Sequence, residues 1–293
     1  MDARRLLLFR VIARAGSFSA GARELGWTQP AVSQHMSRLE REIGTPVFRR
    51  TTQGVTLTDA GQTLLRRADE VAALLAAAES EMVDFTLAGA GRVRLVAFPS
   101  ALATVVPRAL AALEHSHPGV AVELSEAEPP EAIEALRAGT ADLALTFRYE
   151  HEDAAPGLVG VPLAVEAVRL VVPARGDAAG PDAVHDLRDL REAVWAAGCP
   201  RCRAHLLRIC ASAGFTPRIH YTTDDYVVVQ ALVAQGLAVA ALPASSLDAH
   251  AHPGVTAVDV PGLGARTIEA VALPGIARVP SCAALLAALS AVA

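Results

Sequence analysis

Two groups of residues in this sequence have types and spacings that can do chemistry. The first is Cys199-Pro200-Arg201-Cys202, with His205 and Cys210 following. Gly198-Cys199-Pro200 reads as a strand end, a helix N-cap and a first helical residue, so both thiols fall in a first helical turn. There the helix dipole, Arg201 and Arg203 favour thiolate, and C-x-x-C at a helix start is the spacing of a redox dithiol. Cys199, Cys202 and Cys210 are therefore the redox candidates. Packing is the plainer alternative: Cys210 shares a helix face with Leu206, Ile209 and Ala213, and Cys282 also reads as core. Zinc could draw on Cys199, Cys202 and His205. A structural site wants four ligands, however, and no second C-x-x-C exists, so no metal is expected.

The second group lies near the N-terminus. Gln29, Ser33, Gln34, Ser37, Arg38 and Arg41 occupy one face of a helix whose other face carries Val32, Met36, Leu39 and Ile43 at spacings of 4, 3 and 4. Hydrogen-bonding and cationic side chains on the first turns of a helix after a tight turn suit the major groove of DNA. A polar face alone would indicate only a surface helix, so the elements around it decide. Ser17 caps a preceding helix that Gly26 stops, and Thr28 caps the next, with Pro30 tolerated in its first turn. A hairpin then presents Arg49 and Arg50, turns at Gln53-Gly54 and returns through Val55-Thr56-Leu57 before Thr58 caps a long helix. Paired Arg on such a wing can reach the phosphate backbone or minor groove.

The charge distribution agrees. The net charge of the 293 residues is −5, yet residues 1–67 hold eleven Arg against five acidic residues, which leaves an acidic remainder. A basic head on an acidic body is expected where only one end meets phosphate. The length suits two domains at roughly 150 residues each. No apolar run reaches the roughly 18 residues of a membrane span, and the N-terminus lacks the features of a signal peptide. A cytoplasmic protein with no membrane partner is expected, and its cysteines need not form disulfides.

The runs Phe18-Ser19-Ala20 to Leu25, Thr28-Gln29-Pro30-Ala31-Val32-Ser33, Leu39-Glu40 and Phe48-Arg49-Arg50 through Leu57-Thr58-Asp59-Ala60-Gly61 resemble those of LysR-type transcriptional regulators. The resemblance implies that Gln29 and Pro30 touch bases, that Ser33 and Arg38 engage backbone or base edges, and that Arg50 sits on the wing. The expected DNA-contacting set is thus Ser17, Thr28, Gln29, Pro30, Ser33, Gln34, Ser37, Arg38, Arg49, Arg50 and Gln53.

From Asp59 onward Leu64, Ala68, Val71, Leu75, Ala78, Met82 and Phe85 recur as an a/d heptad seam, the pattern of a coiled coil. Packing on its own domain would give the same apolar stripe. A reader of half a palindrome needs a second copy, so a homodimer through this helix is expected. The resemblance adds pairing of dimers into tetramers. Ala88-Gly89-Ala90-Gly91 marks a hinge.

Beyond it, strand-like and helical runs alternate, which argues for α/β layers with mainly parallel strands. The strands fall at 93–97, 120–124, 142–147, 168–172, 193–196 and 237–242, the helices at 101–115, 130–138, 226–234 and 281–292. The fold class is α+β: a winged helix-turn-helix at 1–58, a linker helix at 59–88 and an effector-binding domain at 92–293. The resemblance implies that this domain is periplasmic-binding-protein-like, with two Rossmann-like subdomains at about 92–161 plus 267–293 and at 162–266. A ligand then sits outside the carboxyl ends of the strands. Those ends supply Pro99, Ser100, Thr104, Thr146, Phe147, Arg148, Cys199, Pro200, Arg201, Cys202, Thr222, Thr223 and Asp224. Ser100 at a helix start, with Arg148, Arg201 and Arg203, favours an organic anion, whereas Asp224 and Asp225 suit an amine or a helix cap.

The sequence contains no P-loop, nucleophile elbow, H-E-x-x-H or G-x-G-x-x-G after a strand, so no catalytic residue and no cofactor are expected. The reading is a sequence-specific DNA-binding regulator controlled by a small effector. The alternatives are a thiol-redox regulator, a non-specific DNA binder and a solute-binding protein.

Overall fold

The structure is a computed structural model that describes residues 2–51, 54–86, 91–175, 181 and 184–293. Gln53, residues 88–90 of the expected hinge, and the side chains of Arg50 and Phe85 lie outside the described residues. No described helix is long and apolar enough to cross a membrane.

The head begins with α1 (Ala3–Ala15), whose N-cap Asp2 accepts from the Arg4 N–H at 3.0 Å. Ser17 caps α2 (Phe18–Glu24) by accepting from Ala20 N–H at 3.1 Å. Gly26, at φ +65°, makes the left-handed turn into α3 (Gln29–Ile43). Thr28 holds the N-cap position of α3, but its hydroxyl makes no capping bond. Val32, Met36 and Leu39 are buried against α1, while the polar face points outward. Strands β1 (Phe48–Thr51) and β2 (Gly54–Leu57) form the antiparallel wing. Glu40 clamps the wing to α3, since its carboxylate accepts from the Val47 and Phe48 N–H groups at 2.9 and 3.1 Å. Thr58 then caps α4 (Asp59–Thr86) through Gly61 N–H at 3.0 Å. Gly61 is required there because a Cβ would stand 2.1 Å from the Val47 carbonyl oxygen.

In the body, β3 (Arg92–Ala97), α5 (Pro99–Ala103), α6 (Val105–Ser116), β4 (Ala121–Glu126), α7 (Pro129–Ala138) and β5 (Leu143–Tyr149) build a first half around parallel strands. The 15-residue β6 (Val159–Pro173) leaves it. A second half follows with β7 (Val194–Ala197), α8 (Pro200–Ser212), β8 (Arg218–Thr222), α9 (Tyr226–Ala234), β9 (Val239–Pro243) and α10 (Ala244–Ala249), again parallel within. After β10 (Val255–Val258), β11 (Ala265–Ala272) returns antiparallel to both β5 and β6, and α11 (Pro280–Val292) packs on α6. The strand order is β4-β3-β5-β11-β6-β9-β7-β8, with β10 on β6.

Several elements depart from the sequence reading. The helix expected at 101–115 breaks at Thr104, whose φ of −127° and ψ of −81° are not helical. The strand expected at 168–172 is only the inner end of β6. β8 escaped notice because Arg218, His220 and Thr222 expose one face of an edge strand. β11 escaped because Arg266 and Glu269 interrupt its apolar pattern, although both are buried.

Ion pairs tie α1 to the linker helix, and Arg14 carries the network on to the body. Asp69 of α4 accepts from Arg10 at 2.8 Å and Arg14 at 3.0 Å, and Arg14 also reaches Glu134 of α7 at 3.1 Å.

Candidate functional site

On the head, Thr28, Gln29, Pro30, Gln34, Ser37, Arg38 and Arg49 are exposed, and Ser17 and Ser33 are half-buried. Helix α3 buries its opposite side, and Glu40 fixes the wing to it. Arg38 is held loosely by Glu42 at 3.7 Å, with most of its side chain in solvent. A phosphate or base edge can therefore capture it with little competition.

The linker seam divides. Leu64, Ala68 and Val71 pack on the head's own core, whereas Leu75, Ala78 and Met82 are exposed. Among the described residues, the outer end of α4 thus presents exposed apolar side chains at Leu75 and Met82.

The body holds a void of about 50 Å³ between its halves, lined among others by Phe98, Pro99, Ser100, Glu128, Phe147, Cys199, Cys202, Thr223, Asp224 and Arg266. Seven of the residues expected at the strand ends are therefore brought together there. The others are placed elsewhere. Thr104 donates to the Ser100 carbonyl at 2.6 Å, and Thr146 and Arg148 meet the buried Glu269 at 3.5 and 3.3 Å. Arg201 donates to the Phe147 carbonyl at 2.5 Å and lies 3.9 Å from Glu152. Pro200 and Thr222 are exposed outside the void.

The cation of this void is Arg266, which sequence reasoning missed. Only 3% exposed, it lies 4.1 and 4.9 Å from the ring centres of Phe147 and Phe98. Its guanidinium donates to Glu166 at 2.5 Å and to Ser100 Oγ at 2.9 Å. Glu166 also accepts from Ser245 N–H at 3.0 Å, so the pair is compensated from both halves. Glu128 was missed as well. Its Oε2 is buried without a hydrogen-bond partner, and burial raises its carboxyl above the usual carboxylate range. No local signal marks either residue, because their surroundings come from distant elements.

The C-x-x-C pair sits as the sequence reading placed it, with Cys199 at the N-cap and Pro200 opening α8. Cys199 Sγ lies 3.2 Å from Cys202 Sγ, and Tyr149 of β5 donates its hydroxyl to Cys202 Sγ at 3.7 Å. Cys210 is buried with its thiol pushed up to about 12 by burial. It lies eight residues beyond Cys202 on the same helix, roughly 12 Å along the axis, out of disulfide reach. Both ring nitrogens of His205 are occupied, by the Leu263 carbonyl at 2.7 Å and by Arg208 at 3.1 Å. Burial lowers its pKa, and the ring stacks on Tyr149 at 3.7 Å. Among the described residues no cluster of three or more His, Cys, Asp or Glu could hold a metal ion.

Residues 3–62 match the bacterial regulatory helix-turn-helix protein, lysR family, and residues 88–293 match the LysR substrate binding domain. The HTH-type transcriptional regulator TfdS of Cupriavidus pinatubonensis is 28% identical over 98% of this chain and 97% of its own. A probable hydrogen peroxide-inducible genes activator of Streptomyces viridosporus is 32% identical over 82% of this chain and 76% of its own. Among solved structures, the LysR family transcriptional regulator CbnR superposes with a TM-score of 0.56 at 25% identity, covering 99% of this chain and 100% of that one. Full-length CbnR complexed with its target DNA gives 0.57 at 24%, covering both chains fully.

Proposed function

The chain belongs to the LysR family as a DNA-binding transcriptional regulator with an effector-binding domain, and from that premise we propose how its own residues divide the work. The exposed face of α3 from Gln29 to Arg38 enters the major groove, with Ser17 and Thr28 at its entrance and Arg49 on the flanking backbone. Two chains pair through the outer end of α4, where Leu75 and Met82 are 46% and 58% exposed. Such pairing sets the distance between two half-sites, and dimers can pair again. The solved complex of CbnR with its target DNA, a chain of the same fold, supports DNA as the partner of the head. A protein with this target works in the cytoplasm. Its relatives TcbR and TfdS are HTH-type transcriptional regulators.

The effector is a small organic acid that also carries a hydrogen-bond donor. One observation carries this reading: a single void is lined both by Arg266, hydrogen-bonded to Ser100, and by the carboxyl groups of Glu128 and Asp224. A carboxylate takes the Ser100 and Arg266 donors, and a hydroxyl or ammonium group satisfies the orphaned oxygen of Glu128. Because Ser100 belongs to the first half and Asp224 to the second, binding biases the angle between halves.

Thermal-shift titration of the full chain with small hydroxy- and amino-carboxylates, and with simple carboxylates and amines as controls, tests the effector class. Ser100→Ala is expected to abolish the shift. Stabilisation by amines alone would overturn the acid assignment.

A further inference from the structure

A second cavity, of about 330 Å³, lies between the head with its linker helix and the body, apart from the effector void. Its volume is within the range of small-molecule sites, roughly 300–1,000 Å³. Leu57 of β2 and Leu65 of α4 form its apolar wall on one side, and Leu158 and Leu273 of the body complete it.

The charged groups around the cavity are unequally engaged. Its acids are already held. Asp69 accepts from Arg10 at 2.8 Å and from Arg14 at 3.0 Å. Glu70 pairs with Arg67 at 2.8 Å, and Glu134 with Arg14 at 3.1 Å and Arg137 at 2.9 Å. Donors remain. Arg14 commits both terminal nitrogens to Glu134 and Asp69, but its Nε is buried without a hydrogen-bond partner. Arg66 is exposed and donates to the neutral Thr63 hydroxyl at 3.0 Å, with no acidic partner among the described residues. An oxygen acceptor that meets a buried orphan donor gains more than one that meets a solvated donor.

We propose that this cavity binds a small monocarboxylate with an apolar body, its carboxylate on Arg14 Nε–H and the Arg66 guanidinium and its body against the four leucines. A second negative charge would face Glu70 and Glu134, so a monoanion fits better than a dicarboxylate. An amine would have to compete with the arginines that already hold the acids. Arg14 and Leu57 belong to the DNA-reading head, whereas Leu158 and Leu273 belong to the body, so the bound acid bridges them. It favours the arrangement in which Arg14 of α1 pairs with Glu134 of α7 over those in which the two helices separate. A ligand here acts on the angle between reader and body, not on the angle between the halves of the body.

Isothermal titration of the full chain with phenylacetate, phenylacetamide and phenethylamine is the test, since these probes share a ring and differ in charge. Phenylacetate is expected to bind at least about tenfold more tightly than the other two. Arg66→Gln is expected to weaken phenylacetate about tenfold with the thermal midpoint retained, because the side chain is exposed. Hydrogen exchange is expected to slow in both α1 and α7 when phenylacetate binds. Ser100→Ala, which removes a donor of the effector void, is expected to leave phenylacetate affinity unchanged. Absence of binding at millimolar concentration or equal affinity for the three probes would overturn the proposal. So would affinity lost with Ser100→Ala and kept with Arg66→Gln, which would put the acid in the effector void. The effector reading fails separately, because its thermal shift depends on Ser100 and not on Arg66.

Discussion

The head and the body place their working residues in opposite ways. On α3 the proposed DNA contacts point into solvent from a helix already held by Val32, Met36 and Leu39, so the reading surface and the core are separate sets of residues. In the cleft, Arg266 is at once part of the core, sealed between Phe98 and Phe147, and part of the wall of the void. A surface reader can be rewritten side chain by side chain. A buried sensor is harder to change without disturbing the fold that carries it.

Arg266→Ala tests that contrast most severely. It leaves Glu166 buried without its cation, and loss of one partner from a buried pair costs about 3–5 kcal/mol. Urea unfolding followed by Trp195, buried in the second half, is expected to show that loss. An unchanged midpoint would break the contrast.

Gly61→Ala comes next. Its methyl would meet the Val47 carbonyl, and overpacking of this kind costs about 1–3 kcal/mol. The head is expected to melt earlier and to lose DNA affinity with it, while the body's ligand-induced shift stays.

On the exposed face, Gln29→Ala is expected to weaken binding to the protein's own upstream region by about 1–2 kcal/mol, measured by fluorescence anisotropy, with the thermal midpoint unmoved. A fall in stability would show that the reading face is not separate from the core.

The smallest effect concerns pH. The folded state holds Glu128 above its unfolded value, so between those two values the folded chain binds more protons and stability falls as pH rises. Glu128→Gln is expected to flatten that part of the stability–pH curve, and an unchanged slope would remove Glu128 as its source.

The same contrast explains what could be read in advance. The head was legible because its signals are local: a cap at Ser17, a turn at Gly26, and an apolar stripe three and four residues apart. The alternating layers of the body and the N-cap position of Cys199 were legible for the same reason. The cleft was less so. Arg266 meets Ser100 and Glu166, which are 166 and 100 residues away in sequence. Arg148 and Arg201 had the right chemistry for an anion, but Glu269 and the Phe147 carbonyl engage them. Periodicity reports which face of an element is apolar. It carries no information about which distant carboxylate will claim a particular guanidinium.

The packing of α11 on α6 has a consequence for how the protein is made. The ribosome finishes the second half of the body before it produces the helix that completes the first. β3, β5 and α6 must therefore wait, with apolar surface uncovered, while their sequence-distant neighbours fold and β11 and α11 emerge. The head, whose contacts are nearly all local, has no such delay. During synthesis the chain passes through a stage in which a finished DNA-reading module and a finished second half flank an unfinished first half, and that interval is where chaperone capture is expected.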